Sequence, residues 1–292
     1  MTASNPTDRR ELIVVTGAST GIGEAVAKEL ARKGFYVLAG VRRDVDADAL
    51  RGEGIEPHIL DITVDSDVAA IAERVARDPQ GRPLRALVNN AGISVNAPVE
   101  ALPIAEWRRQ FEVNLFGHVA MTQALLPALL RSAGTVVNIS SVGGRVALPT
   151  YGAYAGSKFA LEAVSDSLRR EVGRLGVKVV VIEPGAVKTE MLERGIANAD
   201  RLNAAMTADQ LERYGDLVAA ISEQARSFGK DGVSAESAAK VIAKAAAASR
   251  PRSRYTIGRD AAVLVRLARV LSDRFLDRVV RLNLRSHYPA NA

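Results

Sequence analysis

The sequence contains no cysteine and only three histidines among its 292 residues. Without cysteine, disulfides, thiol chemistry and thiolate metal sites are excluded. The histidines, His58, His118 and His287, are far apart in the sequence, so we expect no metal site. No apolar run approaches the ~18 residues of a spanning helix, and the polar N-terminus lacks the apolar core of a secretory signal. These absences predict a cytoplasmic protein.

Positive charge is concentrated at one end of the chain. Hydrophobic residues at 48% and charged residues at 25% are typical of a globular protein. Residues 251–292 hold nine arginines and three aspartates, which account for the whole net charge of +6. The basic character therefore belongs to a C-terminal extension and not to the whole protein.

Apolar segments alternate with helical patterns along the chain. Six strand candidates precede residue 183, and residues 255–257 are a possible seventh; the six cover residues 11–16, 35–40, 55–60, 84–88, 135–139 and 177–182. Unbroken apolar strands between helices indicate a parallel sheet covered on both faces. We expect an α/β fold, a single Rossmann-like, doubly wound domain over residues 1–292 with about seven strands and a basic helical extension over 251–292.

A glycine-rich turn follows the first strand. Gly17 permits a tight turn, Gly21 lets the backbone approach a pyrophosphate, and Gly23 allows close helix packing. The following helix would offer free N–H groups to phosphates. No Lys-Ser/Thr pair follows the glycines, which excludes a P-loop nucleotidase. The alternative is a turn that only connects a strand to a helix.

The end of the second strand bears on the choice of dinucleotide. A carboxylate there would hold the ribose 2′-hydroxyl of NAD, but Arg42 and Arg43 occupy this position. Guanidinium groups suit a 2′-phosphate. The alternative is a solvated surface pair, and the nearby Asp44 complicates the interpretation. The sequence favours NADP(H) over NAD(H).

Tyr154 and Lys158 are four residues apart, on one face of a predicted helix. A neighbouring ammonium should lower the pKa of the phenol toward the neutral range. Tyr151 stands two turns from Lys158, too far for direct coupling. Upstream, Ser140 and Ser141 end a buried strand, and we expect Ser140 to cap the next turn.

Together these motifs resemble the classical short-chain dehydrogenase/reductase family. The matching elements, in family order and spacing, are Thr16-Gly-x-x-x-Gly-Ile-Gly23, Asn89-Asn-Ala-Gly92, Asn114, Ser141, Tyr154-x-x-x-Lys158 and Pro184-Gly185. Residues 35–42, 114–118 and 154–162 are similar to the retinol and 17β-hydroxysteroid dehydrogenase branch.

The resemblance implies four catalytic residues. Tyr154 would act as general acid or base, and Lys158 would tune Tyr154 and bind the nicotinamide ribose. Ser141 would hold the substrate oxygen, and Asn114 would support a proton-relay water. We expect His118 to be a packed helix residue.

The resemblance also implies a cofactor site. Within it, Asp61 and Ile62 would contact adenine, and Val187 and Thr189 would hold the carboxamide. Thr20 stands where part of the family has a basic residue, so the NADP preference rests on Arg42. The implied cofactor-binding residues are Gly17, Ser19, Thr20, Gly21, Ile22, Gly23, Arg42, Arg43, Asp61, Ile62, Asn90, Ala91, Gly92, Tyr154, Lys158, Pro184, Gly185, Val187 and Thr189.

Two C-terminal segments, residues 190–230 and 261–285, differ in character. Residues 190–230 lack a recognisable element and correspond to the family's substrate lid, whose apolar side chains suit a steroid, retinoid or fatty substrate. Residues 261–285 read as an amphipathic basic helix, with a possible break near Ser272. It could dock on its own domain or a sister subunit, or attach to an anionic membrane; nucleic-acid binding is disfavoured because no aromatic interleaving accompanies the charge.

The sequence therefore predicts an NADP(H)-preferring oxidoreductase that interconverts a hydrophobic alcohol and its ketone or aldehyde. The resemblance implies a homodimer or homotetramer. One alternative is a non-catalytic NADP(H)-binding sensor or scaffold on the same fold. Another is a sugar-nucleotide epimerase or dehydratase, which differs in its glycine loop and needs a larger C-terminal domain.

Overall fold

The computed structural model describes residues 10–288. The expectations for the polar N-terminus concern residues 1–9, which lie outside the described residues, as do residues 289–292. Nine strands are present in the described part of the chain: β1 (Leu12–Val15), β2 (Tyr36–Val41), β3 (Ile55–Ile59), β4 (Leu84–Asn89), β5 (Thr135–Ile139), β6 (Lys178–Pro184), β7 (Val187–Lys188), β8 (Val233–Ser234) and β9 (Arg254–Ile257).

Eleven α-helices accompany the strands in residues 10–288. They are α1 (Gly21–Arg32), α2 (Asp44–Leu50), α3 (Asp65–Ala76), α4 (Ile104–Phe111), α5 (Gly117–Ser132), α6 (Gly152–Val172), α7 (Glu190–Asn203), α8 (Ala208–Asp231), α9 (Ala235–Ala247), α10 (Arg259–Val270) and α11 (Asp273–Arg285).

Seven parallel strands form one sheet in the order β3-β2-β1-β4-β5-β6-β9. This confirms the predicted α/β fold and its strand count, with β9 as the seventh strand. β7 and β8 pair in a separate two-stranded sheet. Strand order reverses between β1 and β4, and open α/β sheets bind ligands at the carboxyl ends of their strands at such a point.

Each face of the sheet carries its own apolar core. Along β1, Ile13 and Val15 point to the face covered by α1 and α9, and Leu12 and Val14 point to the face covered by α3, α5 and α6. All four residues of β1 are fully buried. Burial on both sides explains why the strands read as continuous apolar runs.

One predicted segment differs from the structure and one agrees with it. Residues 190–230, expected to lack regular elements, form α7 and α8. The basic helix predicted over 261–285 is present as α10 and α11, and the break expected near Ser272 is confirmed, with Leu271 and Ser272 between the two helices.

α4 and α5 are joined by a π-helical segment, Glu112–Phe116, into one continuous helix. By length and composition alone, Ile104–Ser132 is long enough and apolar enough to cross a membrane. The core helix of a globular domain passes the same test, and Met121, Leu125 and Leu129 on α5 pack against the sheet in this structure. The apolar character of this helix is thus explained by its place in the core.

Candidate active site

The glycine turn between β1 and α1 is conformationally specialised. Gly17 and Gly21 have φ angles of +62° and +60°, in the left-handed region that favours glycine. A Cβ on Gly17 would lie 2.7 Å from the Cα of Ala91, and one on Gly23 would lie 2.1 Å from the carbonyl oxygen of Gly17. The turn is therefore a tight backbone cradle and not a simple connection.

Thr16 and Asn90 hold this cradle against the end of β4. The Asn90 side-chain amide donates to the carbonyl oxygens of Thr16 and Gly17, at 3.0 Å each. The Thr16 hydroxyl accepts the N–H groups of Asn90 and Ala91, also at 3.0 Å. Thr16 was not among the predicted site residues, although its place before the first glycine was visible in the sequence.

The N-terminal end of α1 fits an anionic group. Within residues 10–288, the Thr20 side chain does not cap α1, so the first-turn N–H groups are available to a phosphate. Ser19, Gly21 and Ile22 lie in this same turn and are partly exposed. A pyrophosphate would meet backbone N–H donors here and no side-chain carboxylate from the turn itself.

The two arginines after β2 have different environments. Arg43 makes two hydrogen bonds to the Asp46 carboxylate, at 2.8 and 2.6 Å, and this pairing lowers the pKa of Asp46. Arg42 is exposed, and no ion pair to it is present within the described residues. Val41 at the strand end is buried. A guanidinium, and not a carboxylate, is therefore presented at this edge.

Asp61 and Ile62 follow β3. The Asp61 carboxylate accepts the Thr63 N–H and hydroxyl at 3.0 and 2.7 Å. Ile62 is buried against Gly117, where a Cβ would lie 2.7 Å from the Ile62 side chain. Any contact of Ile62 with a ligand would thus use its backbone, because its side chain belongs to the core.

Tyr154 and Lys158 lie on one face of α6, beside Ser141 at the end of β5. The Lys158 Nζ donates to the Ile139 carbonyl oxygen at 2.9 Å and lies 5.9 Å from the centre of the Tyr154 ring. The Ser141 hydroxyl accepts the Gly143 N–H at 3.0 Å. A Cβ on Gly143 would lie 3.1 Å from the Tyr154 ring, so this glycine keeps the tyrosine close to Ser141.

The pKa of Tyr154 is shifted in the direction opposite to the prediction. Burial raises the pKa of Tyr154, and a hydrogen bond with Ser141 partly opposes this effect. In the described structure Lys158 does not contribute the expected lowering of the Tyr154 pKa. Burial also lowers the pKa of Lys158 to about 8, with Glu162 acting in the opposite direction.

Asn114 lies within the π-helical segment, and π-bulges are frequent at functional sites. Its side-chain Nδ2 donates to the Ile93 carbonyl oxygen at 2.9 Å and to the Ser157 hydroxyl at 3.1 Å, while Oδ1 accepts the Ile93 N–H at 2.9 Å. Both side-chain donors of Asn114 are therefore engaged. Ser157 and Ile93 were not identified from the sequence.

Two further residues with titratable rings, His118 and Tyr151, lie near the predicted catalytic residues. His118 is buried, its Nε2 is 2.6 Å from the Ala91 carbonyl oxygen, and burial lowers its pKa to about 3. His118 is thus a neutral packed residue, as predicted. Tyr151 stacks edge-on against Tyr154 with ring centres 6.2 Å apart, and burial raises its pKa to about 12.

The opposite wall of the cleft comes from the chain after β6. Pro184, the last residue of β6, is buried, and Gly185 donates its N–H to the Ile257 carbonyl oxygen at 2.8 Å. Thr189 lies against the glycine turn, since a Cβ on Gly21 would be 3.1 Å from its side chain. The other predicted residue of this wall is Val187, which is buried in β7.

The structure brings the predicted catalytic residues and the glycine cradle to one edge of the sheet. α7 begins over this edge: a Cβ on Gly92 would lie 3.4 Å from Asn114 Oδ1 and 3.6 Å from the Met191 methyl group. Behind it, Asn89 donates to Asn138 at 2.9 Å, and Asn138 donates to Ser165 at 2.8 Å. These buried amides were missed because their partners are distant in sequence.

Comparison with known proteins agrees with this geometry. The family model described as short chain dehydrogenase matches residues 11–200. The NADPH-dependent 3-dehydrocapnine reductase of Ornithobacterium rhinotracheale is 34% identical over 280 residues, 93% of this chain and 96% of that protein. Retinol dehydrogenase 16 of Homo sapiens is 38% identical over 264 residues, 88% of this chain and 83% of that protein.

A solved structure supports the same assignment. The short chain dehydrogenase from Burkholderia cenocepacia J2315 in complex with NADP is 25% identical, with a TM-score of 0.71, and the match covers 95% of this chain and 98% of that one. With the family model matching most of the chain, the fold and the sequence lead to one conclusion. The chain belongs to the short-chain dehydrogenase/reductase family of oxidoreductases and has retinol dehydrogenases among its relatives.

Proposed function

We propose that the protein is an NADP(H)-preferring oxidoreductase that interconverts a hydrophobic alcohol and its ketone or aldehyde, with Tyr154 as general acid and base. The observation that carries this proposal is the grouping of Ser141, Tyr154 and Lys158 beside the glycine cradle. A non-catalytic NADP(H) sensor would have no need of a hydroxyl pair supported by a buried lysine.

The residues of the cradle suit a dinucleotide. The turn over Gly17 to Gly23 would hold the pyrophosphate, the Asp61 region would meet adenine, and Val187 with Thr189 would meet the carboxamide. A nicotinamide dinucleotide held by these residues would supply hydride transfer to or from the substrate carbon. NADP(H) is favoured over NAD(H) because Arg42 is exposed where a 2′-phosphate would lie, while Arg43 would first have to leave Asp46.

The proton chemistry belongs to the chain itself. In reduction, the Tyr154 hydroxyl donates its proton to the developing alkoxide, and Ser141 donates a hydrogen bond to the same oxygen. The pKa of Tyr154, raised by burial, keeps the phenol protonated and ready to act as an acid. Lys158, whose Nζ lies 5.9 Å from the centre of the Tyr154 ring, would bind the nicotinamide ribose.

Asn114 would support proton relay through its backbone. Its two side-chain donors are engaged by Ile93 and Ser157, so a relay water would bind its main-chain carbonyl in the π-helical segment.

The segment 190–230 is proposed as the substrate lid of a single-domain protein. Its helices carry Met191 near Gly92 and place Leu202 and Met206 in buried positions. An apolar, flexible side chain such as Met191 beside Gly92 favours a lipid-like substrate. The names of the relatives, a retinol dehydrogenase and an NADPH-dependent reductase, support the substrate class and the cofactor.

We also propose a homodimer or homotetramer, as the family resemblance implies. Phe116 and Phe159 are 54% and 44% exposed on adjacent elements of the structure. Large exposed apolar side chains on neighbouring helices are typical of subunit contacts.

The test is turnover with matched variants. Purified protein is titrated with NADPH and with NADH, and nicotinamide oxidation is followed with retinoid, steroid and aliphatic carbonyls. We expect oxidation of NADPH with one of these classes, loss of turnover in Tyr154→Phe with NADPH binding retained, and activity in the control Tyr151→Phe. NADPH binding with equal turnover in Tyr154→Phe would overturn the mechanism; binding with no turnover on any class would favour the sensor.

A further inference from the structure

α11 exposes an apolar row beside a row of arginines. Phe275, Val279 and Leu282 follow one another at helical spacing, and Phe275 and Leu282 are each 59% exposed. Arg274, Arg278 and Arg281 each directly precede one of these apolar residues, and Arg285 continues their row along the helix; all four arginines are exposed. We call these seven residues the basic apolar face.

The opposite side of α11 is anchored to the protein. Leu284 is buried, and the Gln224 amide on α8 donates to Asn283 Oδ1 at 2.6 Å. Docking on its own domain therefore accounts for one side of the helix only. The basic apolar face points away from that contact and stays uncovered in the described structure.

The arginines of this face are not neutralised in the way that others in the chain are. Arg32 on α1 and Arg109 on α4 each pair with a glutamate of the same helix, and Arg77, directly after α3, pairs with Glu73 on α3. Asp273 and Asp277 lie on α11, yet in residues 10–288 no ion pair joins either to the arginine row. Four adjacent guanidinium groups thus face solvent next to exposed apolar side chains.

α10 extends the same character. Val263 and Val270 on α10 are 54% and 78% exposed. Arg259 and Arg266 lie in the same row of this helix as the two valines. A surface that only contacts water would carry charged and polar residues, and it would not need the exposed valine, leucine and phenylalanine side chains found here. A protein partner would have to supply many carboxylates, whereas an anionic bilayer offers negative headgroups above an apolar interior.

We propose that the basic apolar face docks onto an anionic membrane surface. Phe275, Val279 and Leu282 enter the headgroup boundary, and the arginine row binds phosphate groups of the lipids. The helix lies in the interfacial plane and does not span the bilayer, because it has only 13 residues. This attachment does not depend on the proposed redox chemistry.

Vesicle binding by the full chain tests this proposal. The probes are phosphatidylcholine vesicles with and without a third of phosphatidylglycerol, and binding is measured by co-sedimentation. We expect binding to the anionic vesicles at least about ten-fold tighter than to the neutral ones, with weakening in high salt. Arg278→Gln should weaken anionic binding about five-fold, and Leu282→Ser should weaken binding to both vesicles.

The chain offers matched controls. Leu175 has the same 59% exposure as Leu282 but follows α6, so Leu175→Ser should leave vesicle binding unchanged, as should Arg170→Gln on α6. Equal binding by Leu282→Ser and Leu175→Ser would overturn the proposal, and so would equal affinity for neutral and anionic vesicles. A change of oligomeric mass in Leu282→Ser, measured by light scattering, would instead identify the face as a contact between copies.

Discussion

The Asn114 side chain pairs with both backbone groups of Ile93, giving and receiving a hydrogen bond at 2.9 Å. One turn earlier, Gln110 does the same with Val95, at 2.7 and 3.1 Å. The side-chain amides of Gln110 and Asn114 thus make the backbone hydrogen bonds that a neighbouring strand would otherwise make to the segment after β4. This segment carries Gly92 and borders the catalytic group, so its position depends on side chains and not on the sheet.

Replacing Gln110 by alanine should destabilise the protein by about 2–4 kcal/mol, because it leaves a buried N–H and a buried carbonyl of Val95 unpaired. Urea denaturation monitors the free energy of unfolding. Gln123→Ala, at an exposed position of α5, serves as control and should change it by less than about 0.5 kcal/mol. A similar small change in both variants would show that the pairing contributes little.

Arg42→Ala should raise the KM for NADPH about 10- to 100-fold and leave the KM for NADH nearly unchanged, because a charge-assisted contact to the 2′-phosphate is lost. Arg43→Ala should have a smaller effect, since this guanidinium is already paired with Asp46. Steady-state kinetics with both cofactors makes the comparison. Equal losses for NADPH and NADH in Arg42→Ala would contradict the proposed preference.

Lys158 should make the folded state more stable as the pH rises above about 8. Burial lowers its pKa from 10.5 to about 8 in the folded protein, so above that pH the unfolded chain binds more protons and the free energy of unfolding increases with pH. The expected gain is on the order of 1–2 kcal/mol by about pH 9.5.

Chemical denaturation at several pH values measures this slope. Lys158→Met should abolish the rise, and Lys240→Met, at an exposed position of α9, should retain it. A rise that persists in Lys158→Met would assign the effect to another group.

Arg254 should be important for stability because it neutralises buried carboxylates. It contacts Glu162 at 3.0 Å, Asp166 at 2.8 Å and Glu183 at 3.5 Å, and Glu162 and Glu183 are almost fully buried. Arg254→Met should cost about 3–5 kcal/mol at neutral pH. The exposed Arg250→Met serves as control in thermal or chemical unfolding.

The loss of unfolding free energy caused by Arg254→Met should become smaller as the pH is lowered. Burial raises the pKa of Glu162, so this carboxyl takes up a proton more readily in the folded protein and then no longer needs a counter-ion. The double variant Arg254→Met with Glu162→Gln should recover part of the lost stability. A cost independent of pH would show that packing, and not charge, dominates.

Local patterns determined what the sequence could predict. The strands of the sheet were found because burial on both faces makes each one a continuous apolar run, as in residues 135–139. Gly17, Tyr154 and Lys158 were found because spacing within one element carries their signal. The family resemblance then joined these elements into one site.

Contacts between distant elements could not be predicted in the same way. Asn114 meets Ile93, and Arg254 meets Glu162, only after the sheet has formed. The predicted direction of the Tyr154 pKa shift was wrong for the same reason, since the shift depends on how deeply the folded protein buries this side chain. α2 and the pair β7 and β8 were missed because they are short and only partly apolar.

β9 makes the first part of the basic C-terminal extension an element of the central sheet. Although residue 254 lies within the basic extension, it opens the edge strand paired with β6. α10 then packs on the Pro184-Gly185 turn, where a Cβ on Gly185 would lie 2.7 Å from Ala261. A chain shortened before β9 would lose part of its sheet, whereas one ending at Leu271 would lose only α11. Loss of α11 would therefore leave the sheet intact, whereas the segment that precedes it belongs to the sheet and to the wall of the cleft.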